Sequence, residues 1–121
     1  MKVYGSRISY YTGKLEAYMR YKDIDYTALP MPYDKPQMLK EKMGAVQMPI
    51  VDDDGTWMSD TTPIIEHLET IHTTRPVIPE DPVVAFLAFL IEDYADEWLW
   101  RPAMYFRWWY PDDRSMAANT L

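Results

Sequence analysis

Three stretches of this 121-residue chain carry side chains whose types and spacing could do chemistry. Asp60-Thr61-Thr62 runs into Pro63 and the apolar positions Ile64, Ile65 and Leu68. Thr61 or Thr62 can cap a helix there, because Pro63 suits its first position, where a missing N–H costs nothing. The backbone N–H groups and dipole of such a helix start attract an anion, and the Thr61 hydroxyl adds a donor. A plain helix cap with no ligand uses the same residue types. Asp52-Asp53-Asp54 before Gly55 looks calcium-like, but the residue five before Gly55 is Ile50, where an EF-hand loop needs an oxygen ligand. A hairpin turn accounts for those aspartates better. Glu92, Asp93, Asp96 and Glu97 place carboxylates at helical spacing, as paired-metal bundles do. The two histidines, His67 and His72, lie elsewhere, so a solvated face is expected and no metal.

Composition narrows the chemistry. The chain has no cysteine, which removes disulfides, thiolate metal sites and catalysis by a protein thiol. Twelve basic against nineteen acidic side chains give a formal charge of −7, which repels phosphate backbones and anionic lipid. Lys35, Lys40 and Lys42 come nearest to a basic run, but Glu41 interrupts them. No nucleic-acid or membrane partner is expected, and a start without an apolar core segment points to a cytoplasmic protein.

The elements that must position these residues follow from periodicity. Val3 and Tyr4 open a strand that gives way to a loop at Gly5 to Gly13. Leu15, Tyr18, Met19 and Lys22 fall on one helical stripe, which predicts a helix over about Thr12 to Lys22. Ile24, Tyr26 and Ala28 alternate with polar residues up to Pro30, the pattern of a second strand. A β-α-β unit of this kind pairs its strands in parallel. Leu39 and Met43 mark a short helix that Gly44 can end. Pro49-Ile50-Val51 and Thr56-Trp57-Met58 flank Asp54-Gly55 as a hairpin, and Ile64, Ile65, Leu68 and Ile71 stripe a third helix.

Pro76, Pro79 and Pro82 crowd the stretch after that helix, so a domain boundary is expected there. The expected division is 1–75, a linker over 76–82, and 83–121. Val83 to Ile91 reads VVAFLAFLI, apolar on nearly every side, which predicts a helix buried on more than one face. A chain this short lacks enough partners for it, so 83–121 is expected to be only the start of a helical domain.

The segment from Gln47 to Leu68, QMPIVDDDGTWMSDTTPIIEHL, resembles the glutathione-binding half of the glutathione S-transferase N-terminal domain. The shared features are Met48-Pro49 before the third strand, the acidic turn Asp52 to Gly55, and Asp60-Thr61 opening a helix with Ile64, Ile65 and Leu68 at its apolar positions. The resemblance implies an α/β fold: a thioredoxin-like βαβ-α-ββα domain with a mixed four-stranded sheet, followed by the first helix or helices of an all-α domain. It also implies that Pro49 is cis and that the Met48 backbone pairs with glutathione as a strand would, with Gln47 nearby. An ordinary trans proline opening a strand is the plain alternative. Thr61 would then hold the γ-glutamyl carboxylate and Asp60 would face its ammonium. Threonine and aspartate stand where the family has serine and glutamate or glutamine.

In this family a hydroxyl near the end of the first strand stabilises the glutathione thiolate, and the resemblance places Ser9 there. The proline usual after that residue is Tyr10 here, which brings Tyr10 and Tyr11 in as alternative donors and leaves open that Ser9 only shapes a loop. Arg7 and Lys14 could reach a carboxylate across the same loop. The function implied is conjugation of glutathione, as co-substrate, to an apolar electrophile. Trp98, Trp100, Tyr105 and Trp108 are candidates to line its pocket. The alternative is a catalytically silent glutathione-binding or dimerisation module. The family resemblance implies a homodimer.

Overall fold

A computed structural model describes residues 1–34, 36–44 and 47–120; Lys35, one of the three lysines weighed as a basic run, lies outside them. The chain divides into two compact units, Met1–Arg75 and Pro76–Leu121.

The first unit runs β1 (Lys2–Gly5), α1 (Tyr10–Lys22), β2 (Thr27–Pro30), α2 (Pro36–Met43), β3 (Ile50–Asp53), β4 (Thr56–Ser59) and α3 (Thr61–Ile71). Its four strands form one mixed sheet in the order β2-β1-β3-β4. β1 and β2 are parallel, and the other two pairs are antiparallel. This is the expected thioredoxin-like arrangement. The period-2 alternation of the strands distributes their side chains to two layers. Val3, Val51 and Met58 join Leu15, Tyr18 and Met19 of α1 and Ile64 and Leu68 of α3 on one face. Tyr4, Ile50 and Trp57 join Leu39 of α2 and Met31 on the other.

The stripe expected on α1 is the stripe that is buried, and Lys22 is buried with it down to its ammonium. That ammonium lies 2.6 Å from Glu69 Oε1 on α3 and donates to the Arg75 carbonyl at 3.3 Å. The Tyr18 hydroxyl donates to the same Glu69 oxygen at 2.7 Å. Burial, then the bond to Glu69, pushes the Tyr18 phenol above its ordinary range. Glu69 of α3 is thereby shared between two α1 side chains.

Several boundaries depart from the sequence reading. α1 begins at Tyr10, two residues early, because Ser9 caps it. It ends in a Schellman arrangement in which Asp23 takes the left-handed conformation at φ 54°, a place where glycine would announce itself in sequence. There the Ile24 N–H donates to the Met19 carbonyl at 2.9 Å and the Asp23 N–H to that of Arg20 at 3.3 Å. Ile24 is therefore spent on the helix end, and β2 starts only at Thr27 and takes in Pro30. Pro30 fits because β2 is an edge strand with β1 on one side alone. At the hairpin, Asp54 and Gly55 both have positive φ, 47° and 96°, as a two-residue turn between paired Asp53 and Thr56 requires. On α3, Ile71 is 54% exposed, so the buried stripe is narrower than the sequence suggested.

The second unit holds α4 (Pro82–Glu97), α5 (Trp100–Trp109) and α6 (Pro111–Thr120). Asp81 caps α4, accepting from the N–H groups of Val83 and Val84 at 2.9 and 3.0 Å, ahead of Pro82. The expectation that Val83 to Ile91 is buried on more than one face is overturned, because no residue of α4 is buried. Its half-buried side is Ala85, Ala88, Glu92 and Asp96, while Val83, Phe86, Leu87, Leu90, Ile91 and Tyr94 are exposed. Two further short helices cannot enclose a helix that is apolar through most of its circumference. Among the described residues, no helix is long and apolar enough to cross a membrane.

Candidate functional site

The sheet register decides which candidate residues meet. Tyr4 of β1 lies beside Ile50 of β3, and Ile50 lies beside Ser59 of β4. The segment leaving β1, the segment entering β3 and the segment leaving β4 therefore emerge at one end of the sheet. These carry, in turn, Ser9, Met48-Pro49 and Asp60-Thr61. Helices α1 and α3 both begin at that end, so the positive ends of two helix dipoles lie there.

Close approach at β1 makes this possible. A Cβ on Gly5 would lie 2.5 Å from Thr12 Oγ1 and 2.6 Å from Thr12 Cγ2, so only glycine lets the first turn of α1 sit against the strand. Thr12 is buried, and its hydroxyl accepts from the Ser6 N–H at 3.4 Å. The Ser9 N–H donates to the Ser6 carbonyl at 3.0 Å, and Ser9 Oγ accepts from the Thr12 N–H at 3.2 Å. That bond makes Ser9 a helix cap while leaving its own hydroxyl proton free to be directed outward. Gly5 and Thr12 were missed as contributors to the site. A glycine three residues after the start, followed by a threonine seven later, has no distinctive spacing.

Tyr10 and Tyr11 are the first two residues of α1 rather than loop residues, the former 44% exposed and the latter half-buried. Gln47 is exposed and Met48 half-buried. Pro49 is fully buried, and the Met48–Pro49 bond is cis. The Met48 side chain packs with Met31, Leu39 and Ile50.

At α3 the cap is one residue earlier than expected. Asp60 is the cap, its Oδ1 accepting from the Thr62 N–H at 3.1 Å, and Pro63 is the third helical residue. Asp60 holds φ 72° and ψ 125°, a sparsely populated conformation for a residue with a side chain. Such positions persist where the surroundings enforce them and cluster at ligand sites. Asp60 is exposed, whereas Thr61 at the first helical position is buried. An anion approaching this helix start would meet the positive end of the α3 dipole beside the Asp60 carboxylate.

The remaining candidates are elsewhere. Arg7 is exposed and Lys14 half-buried. Trp98, Trp100, Tyr105 and Trp108 all lie in the helical unit and are 40–57% exposed. Among the described residues, no cluster of histidine, aspartate and glutamate could hold a metal ion. An open cavity of about 340 Å³, lined by Met19, Arg20, Asp23, Ile24, Asp25 and Tyr26, sits at the other end of α1 from Ser9.

A family model described as the glutathione S-transferase N-terminal domain matches residues 3–76. Solved structures give the same fold. The tau-class glutathione S-transferase MiGSTU of mango, Mangifera indica, aligns with a TM-score of 0.73 at 19% identity over 98% of this chain and 56% of that one. A holo maleyl pyruvate isomerase, described as a bacterial zeta-class glutathione S-transferase, aligns at 0.70 and 20% identity over 79% and 47%. Glutathione transferase E6 of Drosophila melanogaster aligns at 0.68 and 19% over 78% and 46%. The chain spans about half the length of these structures.

Proposed function

The chain belongs to the glutathione S-transferase family through its first unit, and from that premise we propose that it binds glutathione at the end of the sheet where Ser9, Met48-Pro49 and Asp60-Thr61 converge. The observation that carries this reading is the Tyr4–Ile50–Ser59 register, which brings three sequence-distant segments with complementary chemistry to one place. The N-terminus of α3 and Thr61 receive the γ-glutamyl carboxylate, and Asp60 receives the ammonium. The Met48 backbone, just ahead of β3, pairs with the cysteinyl residue as an added strand, beside Gln47.

In the same reading the glutathione thiol lies against the start of α1. A thiol ionises near pH 8.5, roughly, when nothing perturbs it, and a helix N-terminus together with a hydroxyl donor favours the thiolate. Ser9 is the proposed donor, a reading supported by its cap, in which its oxygen accepts from the Thr12 N–H and its proton is not used. Tyr10 and Tyr11, one and two residues on, are the alternative donors. The electrophile is an apolar molecule, and the chain works as a cytoplasmic homodimer. The chemistry is nucleophilic attack by the glutathione sulfur, with the leaving group or added bond determined by the electrophile.

Calorimetric titration with glutathione tests the binding half, with Thr61→Val and Asp60→Ala expected to weaken it by about tenfold or more each, through loss of a charge-assisted bond. Conjugation of a generic aromatic electrophile then tests the chemistry. Ser9→Ala is expected to lose most turnover while Tyr10→Phe and Tyr11→Phe keep it. No heat of binding would overturn the reading, and unaltered turnover in Ser9→Ala would move the donor role to a tyrosine.

A further inference from the structure

With nine methionines and no cysteine, sulfur oxidation on this chain can fall only on thioethers. Four of the nine gather on the α2 face of the sheet. Met31 is buried there with Leu39 and Ile50, and Met38, Met43 and Met48 are half-buried against the same cluster. Tyr4 and Trp57 complete it, their rings stacked with centroids 5.6 Å apart, and the Lys42 ammonium lies 4.9 Å over the Trp57 ring. The half-buried thioethers touch the core and are still reachable from solvent.

Met48 differs from its neighbours in where its backbone leads. Met38 and Met43 belong to α2, whose helical hydrogen bonds hold the chain whatever their side chains do. Met48 stands in the irregular segment just ahead of β3, at the sheet end shared with Ser9 and Asp60. Its side chain packs into the cluster, next to the buried Pro49.

We propose that Met48 is an oxidation site through which a peroxide-class oxidant weakens the ligand site, a proposal that rests on the glutathione reading above. The step is a two-electron oxygen transfer. The thioether sulfur attacks one oxygen of hydrogen peroxide, the O–O bond breaks, the S–O bond forms, and the departing oxygen leaves as water. Sulfur is oxidised and peroxide reduced, with no further reactant. The sulfoxide is strongly polar, and an unpartnered polar group is costly in a cluster made of Leu39, Ile50 and methionines. The side chain therefore swings to solvent, and the Met48 backbone loses the packing that its side chain supplied, keeping only that of Pro49 and Ile50.

The test treats the intact protein with graded hydrogen peroxide, maps sulfoxides by peptide mass, and titrates each sample with glutathione. Met48 sulfoxide should form well ahead of Met19 and Met31, and the Kd for glutathione should rise about tenfold in step with it, the loss of one buried anchor. Methionine sulfoxide reductase should reverse the change. Met48→Leu, compared with its own untreated affinity, should hold that affinity through the same treatment. A Met48 that stays reduced when Met116, 64% exposed, is fully oxidised would overturn the proposal. So would an equal loss of affinity in treated Met48→Leu. Untreated protein that binds no glutathione overturns the site reading and the affinity half with it, while the mass map still decides the modification.

Discussion

The two units of this chain treat the same kinds of side chain in opposite ways. In residues 1–75, Val3, Leu15, Met19, Ile50, Val51, Ile64 and Leu68 are at most 1% exposed, enclosed by helices on both faces of the sheet. In residues 76–120, Val83, Phe86, Ile91, Trp98 and Trp109 are 57–68% exposed, and Ala117 is the one buried apolar residue among those described. Both segments are rich in apolar residues, so composition does not separate them. The difference is one of layers. A sheet offers two broad faces for helices to cover, whereas three helices of 10 to 16 residues leave each other's far sides open. The first unit is a closed core, and the second is a largely exposed apolar surface carrying its own ring stacks. Among these are Tyr105 on Trp109, centroids 5.1 Å apart, and Phe106 on Tyr110, 6.3 Å apart.

That contrast is sharpened most by Lys22→Met. The substitution removes the ammonium from the Glu69 carboxylate and leaves it the neutral Tyr18 hydroxyl, at a cost of about 3–5 kcal/mol, seen as a fall in the urea midpoint. Lys22→Met with Glu69→Leu should recover much of the loss, because removing both charges also removes the desolvation cost. A double variant as weak as the single one would mean that the pair supports the fold in some other way.

Next in size is a matched pair of truncations. Leu68→Ala, in the first core, should cost about 2–5 kcal/mol through lost transfer and the cavity left behind. Phe86→Ala, exposed on α4, should stay within about 0.5 kcal/mol. Equal effects would break the comparison, since they would place α4 in a core of its own. Ser9→Ala should cost about 1 kcal/mol of stability as a lost helix cap, separately from any effect on turnover.

The smallest effect is a pH dependence. The Tyr18 phenol is held protonated in the folded state beyond the point where an unfolded tyrosine ionises, near pH 10, roughly. Above that pH the unfolded chain releases a proton that the folded chain keeps, so stability is full below it and declines as pH rises further. Tyr18→Phe should flatten this decline in denaturant melts above pH 10, roughly, and an unchanged slope would assign it to other groups.

Several features of the fold and site could be read directly from the residues. The spacing of Leu15, Tyr18, Met19 and Lys22 marks the buried side of α1, and Asp54-Gly55 marks the hairpin, because both are local rules of backbone geometry. The stretch from Asp60 to Pro63 was recognisable as a helix start. What escaped was small and contextual. Asp23 ends α1 in a conformation that glycine would have advertised, which displaced β2, and the role of Gly5 depends on a threonine seven residues later.

The sequence by itself determined the order of the elements, the period of each buried stripe and the chemical types available at each loop, since these depend on neighbours within a few residues. Only the tertiary structure decided that three loops separated by tens of residues open at one end of the sheet, through the Tyr4–Ile50–Ser59 register. It alone decided that the Lys22 ammonium is buried on Glu69, and that the apolar stripe of α4 faces outward. Pairing across strands and enclosure of a helix are relations between distant segments, and no periodicity along the chain encodes which segment will be there to meet a given face.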